Sequence, residues 1–261
     1  RFESRGLGDV YKRQVLLRVT DYLAFRIKQI NESFFRAIKE VKYKGYYKGV
    51  FPVKVNQQAQ VIDRIVDFGK EFDFGLEVGS KAELLIALAH DLSSESTIIC
   101  NGIKDKEFIN LAILSLKIGF KTILVLESPR ELDLITEVSE ELNVRPLLGI
   151  RVKLTNKVSG NWSQSSGDRS AFGMSVEQVM KVITKLKVNN YLDCLVLQHS
   201  HLGSQIPDII EIRKATQEAC RFYSEMCKQG APLEYLDLGG GLGVDYTGEQ
   251  KSSLNSINYS L

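Results

Sequence analysis

The chain reads as an α/β protein built on a parallel sheet. From about residue 47 onward, short apolar or β-branched runs alternate with amphipathic stretches. Several of the amphipathic stretches open on helix-start signals, and the chemistry-bearing segments fall where the apolar runs end. Strands separated by helices must run parallel, because each crossover returns the chain to the same end of the sheet.

The strand-like runs are Tyr47–Val55, Phe72–Val78, Thr97–Cys100, Lys121–Leu126, Pro146–Leu154, Cys194–His199 and Glu234–Leu238. Between them lie Ala59–Phe68, Lys81–His90, Asp105–Lys117, Pro129–Leu142, Val176–Val188 and Ile206–Lys228. Ser80 before Lys81-Ala-Glu83 forms a capping box, and Ser128-Pro129 puts proline at a first helical position. Residues 15–46 read as a leading strand fragment plus a helix, since Asn31 to Ile38 has apolar i, i+3, i+4 spacing. Residues 1–14 match nothing downstream and are read as extraneous or unstructured, and residues 249–261 as a polar, structureless tail. The seven strands and six intervening helices suit either an open doubly wound sheet or a (β/α)8 barrel cut short.

Bulk composition narrows the function classes. The 261 residues carry 34 basic and 32 acidic side chains, for a net charge of +2, with 44% hydrophobic and 25% charged residues. With no basic block, nucleic acid binding is disfavoured as the main activity. No apolar run approaches the roughly 20 residues that span a bilayer, so no membrane role is expected. The four cysteines are widely spaced, which fits buried or free thiols in a reducing cytoplasm better than a disulfide framework.

Lys54, in Gly49-Val-Phe-Pro-Val-Lys-Val-Asn-Gln57, lies where a strand feeds a helix. Alternation sets Phe51, Val53 and Val55 on one face and Lys54 on the other. At the carboxyl rim of a parallel sheet a lysine can lose solvation and become a nucleophilic amine for a carbonyl. An ion-paired lysine fits the same position.

Two of the three histidines, His199 and His201, end the sixth strand with matching parity, so both imidazoles face one way. Flat-ligand stacking or proton transfer suits them better than metal ligation, since no third ligand is evident. The third, His90, reads as an exposed helix end. After the seventh strand comes Leu236-Asp-Leu-Gly239-Gly240-Gly241-Leu-Gly243-Val-Asp245-Tyr246. Its glycines can bring backbone N–H groups against an anion, and they match neither Walker A nor Gly-x-Gly-x-x-Gly. The polar run Thr155 to Gly173, which holds the single tryptophan, Trp162, reads as a lid or a surface loop.

These residues carry a resemblance. Phe51-Pro-Val-Lys54-Val-Asn56-Gln57, Leu76-Glu-Val-Gly-Ser-Lys-Ala-Glu-Leu84, Cys100-Asn-Gly102, His201-Leu-Gly-Ser-Gln205 and Gly239 to Tyr246 resemble the biosynthetic arginine decarboxylases. Those enzymes belong to the alanine-racemase-like, fold type III pyridoxal-phosphate decarboxylases. The resemblance implies a TIM barrel of alanine-racemase type over residues 47–248, cut before its eighth strand and before a C-terminal β domain. It implies that Lys54 holds pyridoxal phosphate covalently, that His201 stacks on its ring, and that Ser204, Gly239, Gly240 and Gly241 bind its phosphate. Glu77 and Arg151 match polar positions around the cofactor, and Leu236, Asp237, Leu238, Gly239, Gly240, Gly241, Leu242, Gly243, Val244, Asp245 and Tyr246 match a substrate-contacting stretch. Ala171 stands where relatives often carry lysine.

The implied activity is decarboxylation of L-arginine to agmatine and carbon dioxide for polyamine synthesis, with poor turnover expected of this chain alone. A homo-oligomer of the full-length protein and a magnesium requirement rest on the resemblance only. The alternatives are a non-catalytic barrel binding pyridoxal phosphate or another phosphorylated ligand, and a decarboxylase for ornithine, lysine or diaminopimelate.

Overall fold

The computed structural model describes residues 19–155, 172–244 and 257–260. The expected segment 1–14, the lid residues 156–171 with Trp162 and Ala171, and most of the expected tail lie outside the described residues.

Seven strands form one sheet in the order in which the chain makes them: β1 (Val50–Pro52), β2 (Gly75–Val78), β3 (Thr97–Cys100), β4 (Lys121–Leu126), β5 (Leu147–Arg151), β6 (Leu195–His199) and β7 (Tyr235–Asp237). Every neighbouring pair is parallel. A doubly wound sheet reverses its strand order at a switch point, whereas a barrel winds in one direction. The unbroken order therefore selects the curled, incomplete (β/α) barrel over the open sheet. Among the described residues β1 and β7 are its two edges.

The helices are α1 (Asp21–Glu40), α2 (Ala59–Gly69), α3 (Lys81–Leu88), α4 (Lys106–Lys117), α5 (Pro129–Leu142), α6 (Val176–Val188) and α7 (Ile209–Lys228). Alternation along the strands divides the core in two. Leu76, Val78, Ile98, Cys100, Leu124 and Leu126 face outward onto Ile62, Leu84, Ile109 and Leu132 of the helices. Ile99, Ile123, Val125 and Leu197 face inward and fill the barrel. Each fully buried Leu or Ile contributes about 1.5–3 kcal/mol, so this double core fixes which strand residues reach the rim.

Some helix ends differ from the sequence reading. The Ser80 hydroxyl accepts the Glu83 N–H at 3.3 Å, but the Glu83 carboxylate takes the Gly79 N–H at 2.8 Å, so the expected reciprocal box is displaced by one residue. A full box forms instead at Ser175 and Gln178. α7 starts at Ile209 behind an Asp208 cap and not at Ile206. Pro207 lacks an N–H, and Ile206 is already engaged by donating to the Gly241 carbonyl at 2.8 Å. His90 is not exposed: its ring spans the Ile86 carbonyl at 2.7 Å and Asp63 at 3.0 Å, clamping α3 to α2. All four cysteines are free thiols, with Cys100 and Cys194 buried.

Candidate active site

The rim begins at the end of β1. The strand stops at Pro52, and Val53–Val55 form a 3₁₀ turn closed by the Asn56 N–H on the Val53 carbonyl at 3.1 Å. Lys54 therefore sits on a turn and not within a strand, which corrects the alternating reading. Val53 is fully buried, whereas Val55 is exposed. The Asn56 side chain accepts the Gln58 N–H at 3.1 Å and turns the chain into α2. The Lys54 side chain is 65% exposed and stands 3.6 Å from Glu77, which is only 12% exposed. Lys54 thus stands in solvent at the rim and not in an apolar pocket. Its partner is the carboxylate on the neighbouring strand.

Glu77 projects inward from β2, and β4 and β5 contribute a second ion pair. Arg151, at the end of β5, donates from Nη1 to Glu127 at 2.7 Å and lies over the Phe172 ring at 5.2 Å. Glu127 also accepts the Gly102 N–H at 3.0 Å and the Gly173 N–H at 3.1 Å. One buried carboxylate thus ties the ends of β3 and β5 and the segment before α6 together.

His199 and His201 both lie close to Asp237, and each has its own setting. β6 ends at His199, whose Nδ1 lies 2.7 Å from Asp237 Oδ2 on β7. Two residues beyond it, His201 is half-buried. Burial first, then the nearby charges of His199, Arg151 and Lys54, hold His201 down to about 4, against a smaller upward pull from Asp237. That set of neighbours brings Lys54, Arg151 and His201 to one mouth. Burial alone would push the Asp237 carboxyl up, but the His199 charge and hydrogen bond, the Gly239 N–H and His201 together hold it below the usual carboxylate range.

The glycine segment closes the site. Gly239 has φ +66°, and its N–H donates to Asp237 Oδ1 at 2.8 Å. Gly241 has φ +118°, and a Cβ there would stand 2.6 Å from the Gly203 carbonyl oxygen, so only glycine permits this approach. A Cβ on Gly240 would meet nothing within 4 Å. Among the described residues no acceptor is bonded to the N–H groups of Gly240 and Gly241. Exposed Ser204 belongs to the loop that faces this segment. Free backbone donors in a cradle that side chains would fill suit a phosphate, and the neighbouring amine, neutral imidazole and carboxylates suit an aromatic aldehyde, so these residues fit pyridoxal phosphate.

Not every expected residue converges. Leu236 and Leu238 pack with Leu154, Ile206, Ala215 and Ala219 beneath α7, which gives their side chains a role in the fold. Leu242 and Val244 are exposed, Gly243 is joined to Tyr259, and Asp245 and Tyr246 lie outside the described residues. Sequence reasoning missed Glu127 and the pairing of His199 with Asp237. A charged residue directly after the apolar run Ile123–Leu126 was the available signal for Glu127. The His199 pairing depends on the β6–β7 register, which sets His199 opposite Asp237 and which neither strand encodes alone.

Comparisons with known proteins show the family. Residues 27–261 match the family described as pyridoxal-dependent decarboxylase, pyridoxal binding domain. Biosynthetic arginine decarboxylase of Prochlorococcus marinus (strain MIT 9301) is 50% identical over 247 residues, covering 95% of this chain and 38% of that protein. The Gloeobacter violaceus biosynthetic arginine decarboxylase is 46% identical, covering 99% of this chain and 40% of that protein. The chain thus spans about two fifths of the length of the curated relatives it matches. The crystal structure of the Campylobacter jejuni biosynthetic arginine decarboxylase superposes with a TM-score of 0.83 at 34% identity, covering 92% of this chain and 39% of that one. Helicobacter pylori diaminopimelate decarboxylase, at 23% identity and a TM-score of 0.69, covers 89% of this chain and 56% of its own, and shares the fold. The chain belongs to the pyridoxal-dependent decarboxylases and carries their pyridoxal-binding domain.

Proposed function

We propose that this chain is the cofactor-binding part of an arginine decarboxylase, releasing carbon dioxide from L-arginine to give agmatine on the way to polyamines. The observation that carries this is the Lys54 amine 3.6 Å from Glu77, at a mouth shared with Arg151 and His201. The high identity to biosynthetic arginine decarboxylases along nearly the whole chain supports the substrate.

When bound, pyridoxal phosphate supplies a conjugated ring that takes up the electron pair left as the substrate carboxylate departs. The protein's residues do the positioning. Lys54 would hold the aldehyde end, with the Glu77 carboxylate 3.6 Å away orienting its amine. Ser204 and the N–H groups of Gly240 and Gly241 hold the phosphate end. His201, kept neutral by its burial, would offer a flat, uncharged face to the ring. Arg151, fixed by Glu127, keeps a positive charge at the mouth without needing a partner from the substrate. Arginine, a homo-oligomeric assembly and a cytoplasmic setting belong to the full-length protein under this reading.

Carbon dioxide release from carboxyl-labelled arginine, ornithine, lysine and diaminopimelate, measured with the full-length protein, tests it. Release from arginine well above the other three is expected. Preference for any of the others overturns the substrate.

A further inference from the structure

The two loops that form the cradle are joined by side chains outside it. Ile206 and Leu242 form an isolated parallel bridge, and its first rung is the Ile206 N–H on the Gly241 carbonyl at 2.8 Å. The Gly243 N–H and the Ile206 carbonyl, which face each other across this bridge, are also joined by a phenol: the Gly243 N–H donates to Tyr259 Oη at 2.6 Å, and Tyr259 Oη donates to the Ile206 carbonyl at 2.7 Å. Gln205, the residue before Ile206, reaches Val244, two residues past Leu242: its Oε1 accepts the Val244 N–H at 2.8 Å and its Nε2 donates to the Val244 carbonyl at 3.2 Å. Asn258, next to the tyrosine, is itself anchored. Its N–H donates to the Pro207 carbonyl at 3.0 Å, and its side chain takes the Ile209 N–H and donates to Asp208, both at 2.9 Å.

We propose that Tyr259 and Gln205 are positioning residues for the phosphate cradle, clasping the Ser204 loop to the Gly239–Gly243 loop so that the free N–H groups of Gly240 and Gly241 converge. This rests on the cofactor reading above. Backbone donors bind an anion well only when they are held convergent beforehand, because loop ordering is otherwise charged against binding. The first rung and the phenol relay grip both sides of Leu242, and the Gln205 pair blocks sliding by one residue. Tyr259 is separated by 16 residues from Gly243 and by 53 from Ile206, so its hydroxyl joins three separate segments at one point.

The test compares pyridoxal phosphate with pyridoxal, which lacks the phosphate, and uses inorganic phosphate as competitor. Affinities are read from absorbance titrations of wild type, Tyr259→Phe and Gln205→Ala, each with a thermal melt. Wild type should prefer pyridoxal phosphate. Each variant should weaken pyridoxal phosphate and inorganic phosphate about tenfold, the scale of one lost preorganising hydrogen bond, while pyridoxal affinity and melting temperature stay put. Gln205→Ala acts from the opposite loop and so checks the clasp independently of the tyrosine. Unchanged phosphate discrimination in both variants, or equal losses for pyridoxal and its phosphate, overturns the proposal. A wild type that binds no pyridoxal phosphate overturns the cofactor reading beneath it, a result separable from normal wild-type binding with unaffected variants.

Discussion

Asp237 Oδ2 accepts a hydrogen bond from His199 Nδ1 at 2.7 Å while its other oxygen takes the Gly239 N–H at 2.8 Å. An ionised carboxylate can only accept, so His199 must carry its proton on Nδ1. The pair joins β6, β7 and the entrance to the glycine segment through side chains that are 4% and 15% exposed. Asp237→Ala strands a buried imidazole and frees the Gly239 turn. Urea unfolding should show a loss of about 3 kcal/mol, with weakened pyridoxal phosphate binding. A variant as stable as wild type would show that the pair is incidental.

His201 gives the acid limb of stability a specific owner. Its folded value of about 4 lies below the ordinary 6.5, with burial the main cause. Between those values the unfolded chain takes up a proton that the folded chain refuses. Stability from this group is therefore complete above 6.5 and falls as pH drops toward 4, by an amount on the order of 3 kcal/mol. Melting temperatures of wild type and His201→Gln across this window should diverge in slope, the variant being flatter. Parallel profiles would assign the acid limb to other groups. Asp237, whose carboxyl is depressed, loses its contribution only at lower pH.

Lys104, in the loop between β3 and α4, is buried. Its Nζ is fully buried and donates to the Gly102 carbonyl at 2.5 Å and the Val125 carbonyl at 2.6 Å, with Glu131 at 3.3 Å. Glu131 in turn accepts the Lys104 N–H at 3.0 Å and the Glu127 N–H at 2.8 Å, so the pair lies beneath the Glu127–Arg151 rim. Lys104→Met leaves a buried carboxylate without its cation, and unfolding should show a cost of about 3–5 kcal/mol. A loss below about 1 kcal/mol would mean that the backbone donors suffice for Glu131.

The elements most legible in the sequence were those whose signal is entirely local. Thr97–Cys100 and Lys121–Leu126 are nearly all buried runs that stop at the polar residues Asn101 and Glu127, and Pro129–Leu142 and Val176–Val188 begin behind serine caps; all four match the sequence reading residue for residue. The end of β1 was not legible. Alternation through Phe51, Val53 and Val55 continues past Pro52, while the actual chain turns there to bring Lys54 over Glu77. Lys54 and His201 could be named from their places near the ends of apolar runs, and Glu77 and Arg151 only through the family resemblance. Their partners could not, since Glu127 meets Arg151 only through the β4–β5 register and Tyr259 meets Gly243 only through tertiary folding.

Borohydride reduction of the protein with pyridoxal phosphate, followed by peptide mapping, tests the central claim most directly. The account predicts one pyridoxyl label, on Lys54, absent from Lys54→Ala along with the yellow absorbance. A label on another lysine, or an undiminished chromophore in Lys54→Ala, would contradict it.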